Sequence, residues 1–419
     1  MRDRLRLAAG AAAVAMLAAG CGSAARPPPP APGVTRGVAF RVPAADPRPF
    51  GAADTVFGLD VLGAWCRRDP TDNIVLSPES LASGLGLTYL GARGATASAM
   101  GRVLHLPPVG PALLAGLHAR SAALRGLDGP GVTVAGSDHV WADPSLTTGR
   151  GYLNEVATGY GAGLWRVPLL AGTDRAVGQI NASIDAATRG HIPHLLSPGE
   201  VSGSGWVLTD ALYLDAAWAA PFQAGQTTSG PFTTAAGGHV SARFMHGNGF
   251  RVSTSDGWTA VSLHYRGGKL SMIALLPAAG PGSGGCPAPA PATLTRMETA
   301  LAKPTRQAAI ALPKVSLSST ASLRELLTAL GMGIAFGGDA DFTLLSRQAC
   351  CIGAVVHAAT LAVAEKGTVA SAATGVGILP SAEPVQLARV VFDRPYLLLV
   401  TDNATGEPLF LARVADPAA

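Results

Sequence analysis

The sequence predicts an α+β domain with largely antiparallel or mixed sheets. Three observations carry this: helical patterns come first, strand patterns dominate later, and no regular βαβ alternation joins them. Asp54 to Trp65 opens with a helix, because Phe57, Val61, Leu62 and Trp65 recur at helical spacing. Ser77 caps the next helix, whose first residue is Pro78, a position where proline's missing N–H is no loss. Leu81, Leu85 and Tyr89 share a face of it. Residues 132–141 and 207–214 read as strands, and the apolar run within Gly268 to Pro277 as a strand covered on both faces. Pro277 to Pro291 is Gly/Pro-rich loop. Leu323, Leu326, Leu327 and Leu330 place a helix over Ser322 to Leu330, and Val390 to Val414 reads as two strands around the turn at 402–407. No internal repeat and no composition break appear after residue 50.

With 419 residues, 48% hydrophobic and 14% charged, the chain is globular in character, and a β-rich unit of this length can be one domain. Of the formal charge of +4, Arg2, Arg4 and Arg6 less Asp3 account for +2. The remaining +2 gives no case for nucleic acid. No metal-ligand cluster or phosphate-cradling loop appears in the sequence, so no cofactor is expected. Residues 1–20 read as a signal peptide, with a basic start and an apolar run from Leu7 to Leu17 too short for a comfortable span of about 20 residues. Small residues ending at Cys21 resemble a bacterial lipoprotein signal, which implies cleavage before Cys21, lipidation of its thiol and an extracellular domain anchored to the cell membrane. Residues 21–50, with Pro27 to Pro30, form an extended linker, and 51–419 the folded domain. Cys66, Cys286, Cys350 and Cys351 lack metal-ligand spacing; export permits a disulfide without saying which.

The segment Glu365-Lys366-Gly367 precedes a run of small uncharged residues: Thr368, Val369, Ala370, Ser371, Ala372, Ala373 and Thr374. In a strand, Thr368, Ala370, Ala372, Thr374 and Val376 share one face, which could slide beneath a packed layer without burying a charge. Thr368 to Val376 would add roughly 30 Å of strand.

Seven segments in one order resemble the serpin family across roughly residues 51–417. They are Asn73-Ile74 with Ser77-Pro78-Glu79-Ser80, Leu90 to Thr96 and Leu104; Ile180-Asn181 with Thr188 to Ile192 and Leu195-Leu196; Asp210 to Leu214 with Trp218 and Pro221-Phe222; Leu312 to Ser316; the run at 365–374; Phe392 to Tyr396; and Pro408-Leu409-Phe410. The resemblance implies several helices around a large mixed main sheet, smaller antiparallel sheets and an exposed reactive-centre loop. It also implies a suicide inhibitor of serine proteases, not an enzyme: the cleaved loop inserts into the main sheet and traps the acyl-enzyme. Ser77, Ser80, Asp210 and His357 match the polar cluster under the strands that must part, Trp218 the top of that opening, and Lys314 with Glu365 the ion pair at the base of the hinge.

Two departures stand out. Val369 replaces the family's common Glu but would face outward on the alternation above, and Asp210 replaces its usual Asn, which is expected to favour imidazolium at His357 and pH-dependent opening. A rival reading takes Ser77 or Ser80, His357 and Asp210 as a hydrolytic triad. Neither serine lies in a Gly-x-Ser-x-Gly turn, which argues against it. Counting from Glu365 puts the scissile bond at Ser381-Ala382, after Leu379-Pro380, and counting back from Phe392 puts Pro380 at the specificity position; Ser381 is preferred. A small residue there, with no Arg or Lys between Gly367 and Val385, fits an elastase-like or subtilisin-like partner. A monomer is expected. The alternative is a non-inhibitory serpin binding or scaffolding at the cell envelope. Only Arg93, Arg102, Arg120 and Arg125 lie within 93–125, too few for a heparin-type site.

Overall fold

The computed structural model describes residues 32–136, 139–201, 203–280, 285–303, 306–368 and 388–419. The signal peptide at 1–20, Cys21, the hinge residues Val369, Ala370, Ser371, Ala372, Ala373 and Thr374, and Leu379, Pro380, Ser381 and Ala382 lie outside the described residues.

The chain runs β1 (Gly33–Thr35), α1 (Arg48–Arg68), β2 (Ile74–Leu76), α2 (Pro78–Tyr89), α3 (Gly94–Val103) and α4 (Pro111–Arg125). Next come β3 (Val132–Gly136), β4 (His139–Ala142), α5 (Arg150–Tyr160), β5 (Leu164–Arg166), α6 (Thr173–Ala187) and α7 (Pro198–Val201). The later half is β6 (Trp206–Ala217), β7 (Thr228–Thr233), β8 (His239–Ser255), β9 (Trp258–His264), β10 (Leu270–Pro277), α8 (Pro291–Leu301), β11 (Gln307–Pro313) and β12 (Val315–Ser322). It ends with α9 (Arg324–Leu327), β13 (Val355–Ala364), β14 (Gly367–Thr368), β15 (Ala388–Val391), β16 (Tyr396–Asp402) and β17 (Pro408–Val414).

Two large sheets organise these strands. The main sheet is ordered β1-β5-β4-β6-β14-β13-β12, with β3 also on β6; it is mixed, because β4–β5 and β6–β13 are parallel pairs. The second is ordered β15-β11-β8-β9-β10-β16-β17-β2, with β7 on β8, and is antiparallel apart from β11–β15. Apolar residues of both sheets, among them Leu214, Tyr265, Met272, Leu361 and Phe410, form one core cluster. A second joins α1, α2 and α4 to the sheet residues Leu76, Leu208, Leu399 and Leu411. The third seats α6 on the outer face of the main sheet, through Ile180 and Ile184 against Trp141, Val207 and Val356. Asn181 on α6 accepts from Leu195 and Leu196 N–H at 3.1 and 2.9 Å and donates to the Leu196 carbonyl, pinning the segment C-terminal to the helix.

Some boundaries differ from the sequence reading for definite reasons. Residues 33–50 are not a free spacer: β1 pairs with β5, Val38 and Phe40 N–H donate to Asn154 Oδ1 and Thr158 Oγ1, and Phe50 is buried. The helix expected over 322–330 keeps α-helical form for one turn only, α9, and Gly331 at φ 109° kinks the helical segment from Thr328 to Met332, although Leu323, Leu326 and Leu327 are buried as the spacing requires. Glycine is among the few residues that take such an angle readily. The strand expected from Val390 is interrupted over Phe392-Asp393-Arg394-Pro395 and restarts at Tyr396. Cys66 at the end of α1 is bonded to Cys286, with Cα atoms 5.7 Å apart.

One polar cluster was missed entirely. Arg120 of α4 faces Asp54 of α1 at 2.5 Å, Glu407 before β17 at 2.8 Å and Glu79 of α2 at 3.5 Å, and all four are buried. Three carboxylates thus share one guanidinium. Burial raises Asp54 well above the ordinary carboxylate range and Glu79 from 4.5 to about 7, against the lowering pull of Arg120. The folded state therefore holds the Glu79 proton more tightly than the unfolded chain. That stabilisation is fully present below 4.5 and lost as the pH rises through about 7. The unfolding midpoint should fall as buffer goes from weakly acidic to weakly alkaline, and Glu79→Gln, which cannot ionise, should flatten the fall in denaturant titrations across that window.

Candidate functional site: a parting seam in the main sheet

The site lies where β6 and β13 meet. Their parallel pairing runs over five rungs, from Leu208 opposite Val355 to Leu212 opposite Ala359. Higher up the strands separate, and β14 stands between them, antiparallel to both. Gly367 faces Ala217 on one side and Ala364 on the other, and Thr368 faces Ala216 and Val363. The start of the hinge is thus already a strand wedged into the top of the seam.

Side-chain size explains why this wedge fits. A Cβ at Gly367 would sit 2.1 Å from the Ala216 carbonyl oxygen, so only glycine permits the approach. Thr368 is buried, its hydroxyl 2.6 Å from the Tyr265 hydroxyl. Tyr265 stacks on Trp218, with ring centroids 4.4 Å apart, and Trp218 Nε1–H donates to the Ala364 carbonyl at 2.9 Å. Trp218 and Phe222 N–H bind the Lys366 and Glu365 carbonyls at 2.9 and 2.8 Å. The top of the opening is therefore tied to the hinge by backbone and ring contacts together.

Lys314 and Glu365 form the ion pair expected at the hinge base, Nζ to Oε2 at 2.8 Å, while Thr227 Oγ1–H donates to Oε1 at 2.9 Å. Burial works to raise the Glu365 carboxyl, but hydrogen bonds from Lys314, its own backbone and Thr227 outweigh it and hold the group below its ordinary value.

Beneath the seam, Asp210 and His357 occupy the middle rung of the five, and both are buried. His357 Nδ1 lies 2.6 Å from Asp210 Oδ1, and its Nε2 accepts from Ser77 N–H at 3.1 Å. Ser77 Oγ in turn accepts from Ser80 N–H at 3.1 Å, capping α2. This brings Ser77, Ser80, Asp210 and His357 together as the sequence implied; it corrects one expectation, the imidazolium, and adds to the case against a hydrolytic triad. A nitrogen that accepts from a backbone N–H carries a lone pair, so the ring is neutral with its proton on Nδ1, not the imidazolium expected from Asp210. Protonating Nε2 would break the tie to α2. With both ring nitrogens engaged in this way, His357 is no base for either serine, and the trio is a structural clasp rather than a hydrolytic triad. Asp210 Oδ2 has no hydrogen-bond partner among the described residues. Asp210→Ala should cost about 1–3 kcal/mol by stranding the buried Nδ1–H; in urea unfolding Asp210→Asn, which keeps an acceptor, should lose less.

A family model described as serpin, serine protease inhibitor, matches residues 52–417. The chain belongs to the serpin family. An uncharacterized serpin-like protein of Thermococcus kodakarensis is 30% identical to this serpin over 360 residues, covering 83% of this chain and 81% of that protein. Leukocyte elastase inhibitor A of Mus musculus is 28% identical over 394 residues, covering 87% and 99%. The thermophilic serpin tengpin in its native state matches the fold with a TM-score of 0.76 at 21% identity, covering 92% of this chain and 100% of that one.

Family motifs located Ser77, Ser80, Asp210, Trp218, Lys314, His357, Glu365, Gly367 and Thr368 in this serpin, and those residues do line one seam and its base. Tyr265 and Thr227 were not located. Tyr265 stands just before the Gly267-Gly268 turn, so a hairpin end was legible there, but its contact with Thr368 crosses 103 residues of sequence.

Proposed function

We propose that this serpin is a suicide inhibitor of serine proteases whose loop is cut near Ser381-Ala382. The freed segment then continues the strand begun by Gly367 and Thr368, parting β6 from β13 and trapping the acyl-enzyme. The observation that carries this reading is the wedge itself. Two hinge residues already pair with both strands, and five rungs below them remain to be opened. Each further residue exchanges a strand–strand rung for pairing on both sides of the new strand.

A small residue at Ser381, preceded by Leu379-Pro380, fits an elastase-like or subtilisin-like target, and the similarity to leukocyte elastase inhibitors is in keeping with that choice. The signal at 1–20 and Cys21 support a lipid-anchored protein held at the outer face of the cell membrane. The test is incubation of the full chain with a panel of serine proteases. A covalent complex that survives denaturing gel electrophoresis, with a new N-terminus at Ala382, is expected; loop cleavage with full protease activity would point instead to the non-inhibitory reading.

A further inference from the structure

Cys350 and Cys351 take no part in the seam's hydrogen bonds, yet they lie just ahead of it. Their sulfurs are 2.8 Å apart, Cys350 is exposed, and Cys66 and Cys286 are already bonded to each other. Cys351 lines the same small apolar cavity as Val207 and Leu208, the lower end of β6. Four residues on, Val355 makes the first rung with Leu208. Ile352 N–H is held by the Ala335 carbonyl at 2.9 Å, so the segment entering β13 has an anchor right beside the pair.

We infer that Cys350 and Cys351 form a reversible redox site, a vicinal dithiol that a small-molecule disulfide of the glutathione type converts to a disulfide, stiffening the lower end of the β6–β13 seam. Cys350, the accessible sulfur, loses its proton and attacks the oxidant, expelling one thiol and leaving a mixed disulfide on itself. Cys351 then gives its proton to the second leaving sulfur and attacks the Cys350 sulfur. Two electrons pass to the oxidant, which ends as two thiols, and the protein loses two hydrogens. Burial and the hydrogen bond that holds its proton against Cys350 raise the Cys351 thiol to about 11, which suits it to the second, intramolecular step rather than to first attack. Neighbouring Cα atoms stand about 3.8 Å apart, short of the usual 4.4–6.8 Å for a disulfide, so the bond is strained and readily reduced. Closing that ring fixes the backbone of the segment that leads into β13.

The experiment uses the full chain carrying Cys21→Ser, which leaves Cys350 and Cys351 as the two cysteines outside the Cys66–Cys286 bond, incubated with oxidised or reduced glutathione, alkylated with N-ethylmaleimide and analysed by intact mass and peptide mapping. Reduced protein should take two alkyl groups, at Cys350 and Cys351. Oxidised protein should take none, with a mass about 2 Da lower and the link mapped to Cys350-Cys351. Cys351→Ser should stop at the glutathione adduct on Cys350. Two alkylatable thiols after oxidation, or a lasting adduct on Cys350 of the chain that keeps Cys351, would overturn the site. Amide hydrogen exchange at Val355–Ala359 should slow on oxidation and recover on reduction; equal exchange in both states would overturn the coupling to the seam. Neither readout depends on protease inhibition.

Discussion

Thr368→Arg should convert the inhibitor into a substrate: proteases that form a covalent complex with the unsubstituted chain should cleave the variant's loop and leave fully active. Thr368 is buried against Tyr265, whose ring is stacked on Trp218. A guanidinium in its place meets no carboxylate in that hydrogen-bonded pair, and an unpaired buried cation costs several kcal/mol. Arginine therefore expels β14 from the seam of the uncut protein, and insertion must bury the cation anew; a rise of about 3 kcal/mol in that barrier slows the step by roughly a hundredfold. Deacylation then wins the race. Thr368→Ser, which keeps the hydroxyl for Tyr265, should inhibit nearly as well, and the ratio of complexed to cleaved inhibitor on a denaturing gel measures both.

Arg120→Met should destabilise the whole domain by about 3–5 kcal/mol, the expected result of removing one partner from a buried ionic cluster. It leaves Asp54, Glu79 and Glu407 facing one another out of water, on elements that include two helices and the turn before β17. Combining Arg120→Met with Glu79→Gln should cost less than the two single effects summed, because removing a carboxylate relieves the repulsion that the missing arginine exposes. Urea unfolding at neutral pH gives all three values. Additive losses would mean that the four groups do not act as a cluster.

The sequence patterns made the seam legible because its parts are local. Ser77-Pro78 announces a capped helix, Gly367 and Thr368 a run of small residues, and the apolar stretch at 270–277 a strand that proves buried at every position. The family resemblance added what no local pattern holds, the meeting of Asp210 with His357 across 147 residues. The charge expected on that pair from the Asp210 substitution was wrong because the deciding partner, Ser77 N–H, is a backbone group with no signature in side-chain identity. The Arg120 cluster stayed hidden for a related reason. Asp54 sits one turn before Phe57 and Gly58 on the buried face of α1, an anomaly visible in the pattern, but nothing local names an arginine 66 residues later. The docked segment at 33–50 escaped notice because scattered prolines and short edge strands look alike at the level of composition.

The central claim is that the hinge begun by Gly367 and Thr368 completes a strand between β6 and β13 once the loop is cut. The most direct test is to nick the full chain within residues 369–387 using a protease that is not trapped, and to compare thermal unfolding before and after by circular dichroism. Insertion adds a central strand paired on both sides, so the account predicts a large upward shift in melting temperature for the nicked protein. A melting temperature equal to or below that of the intact chain would contradict it.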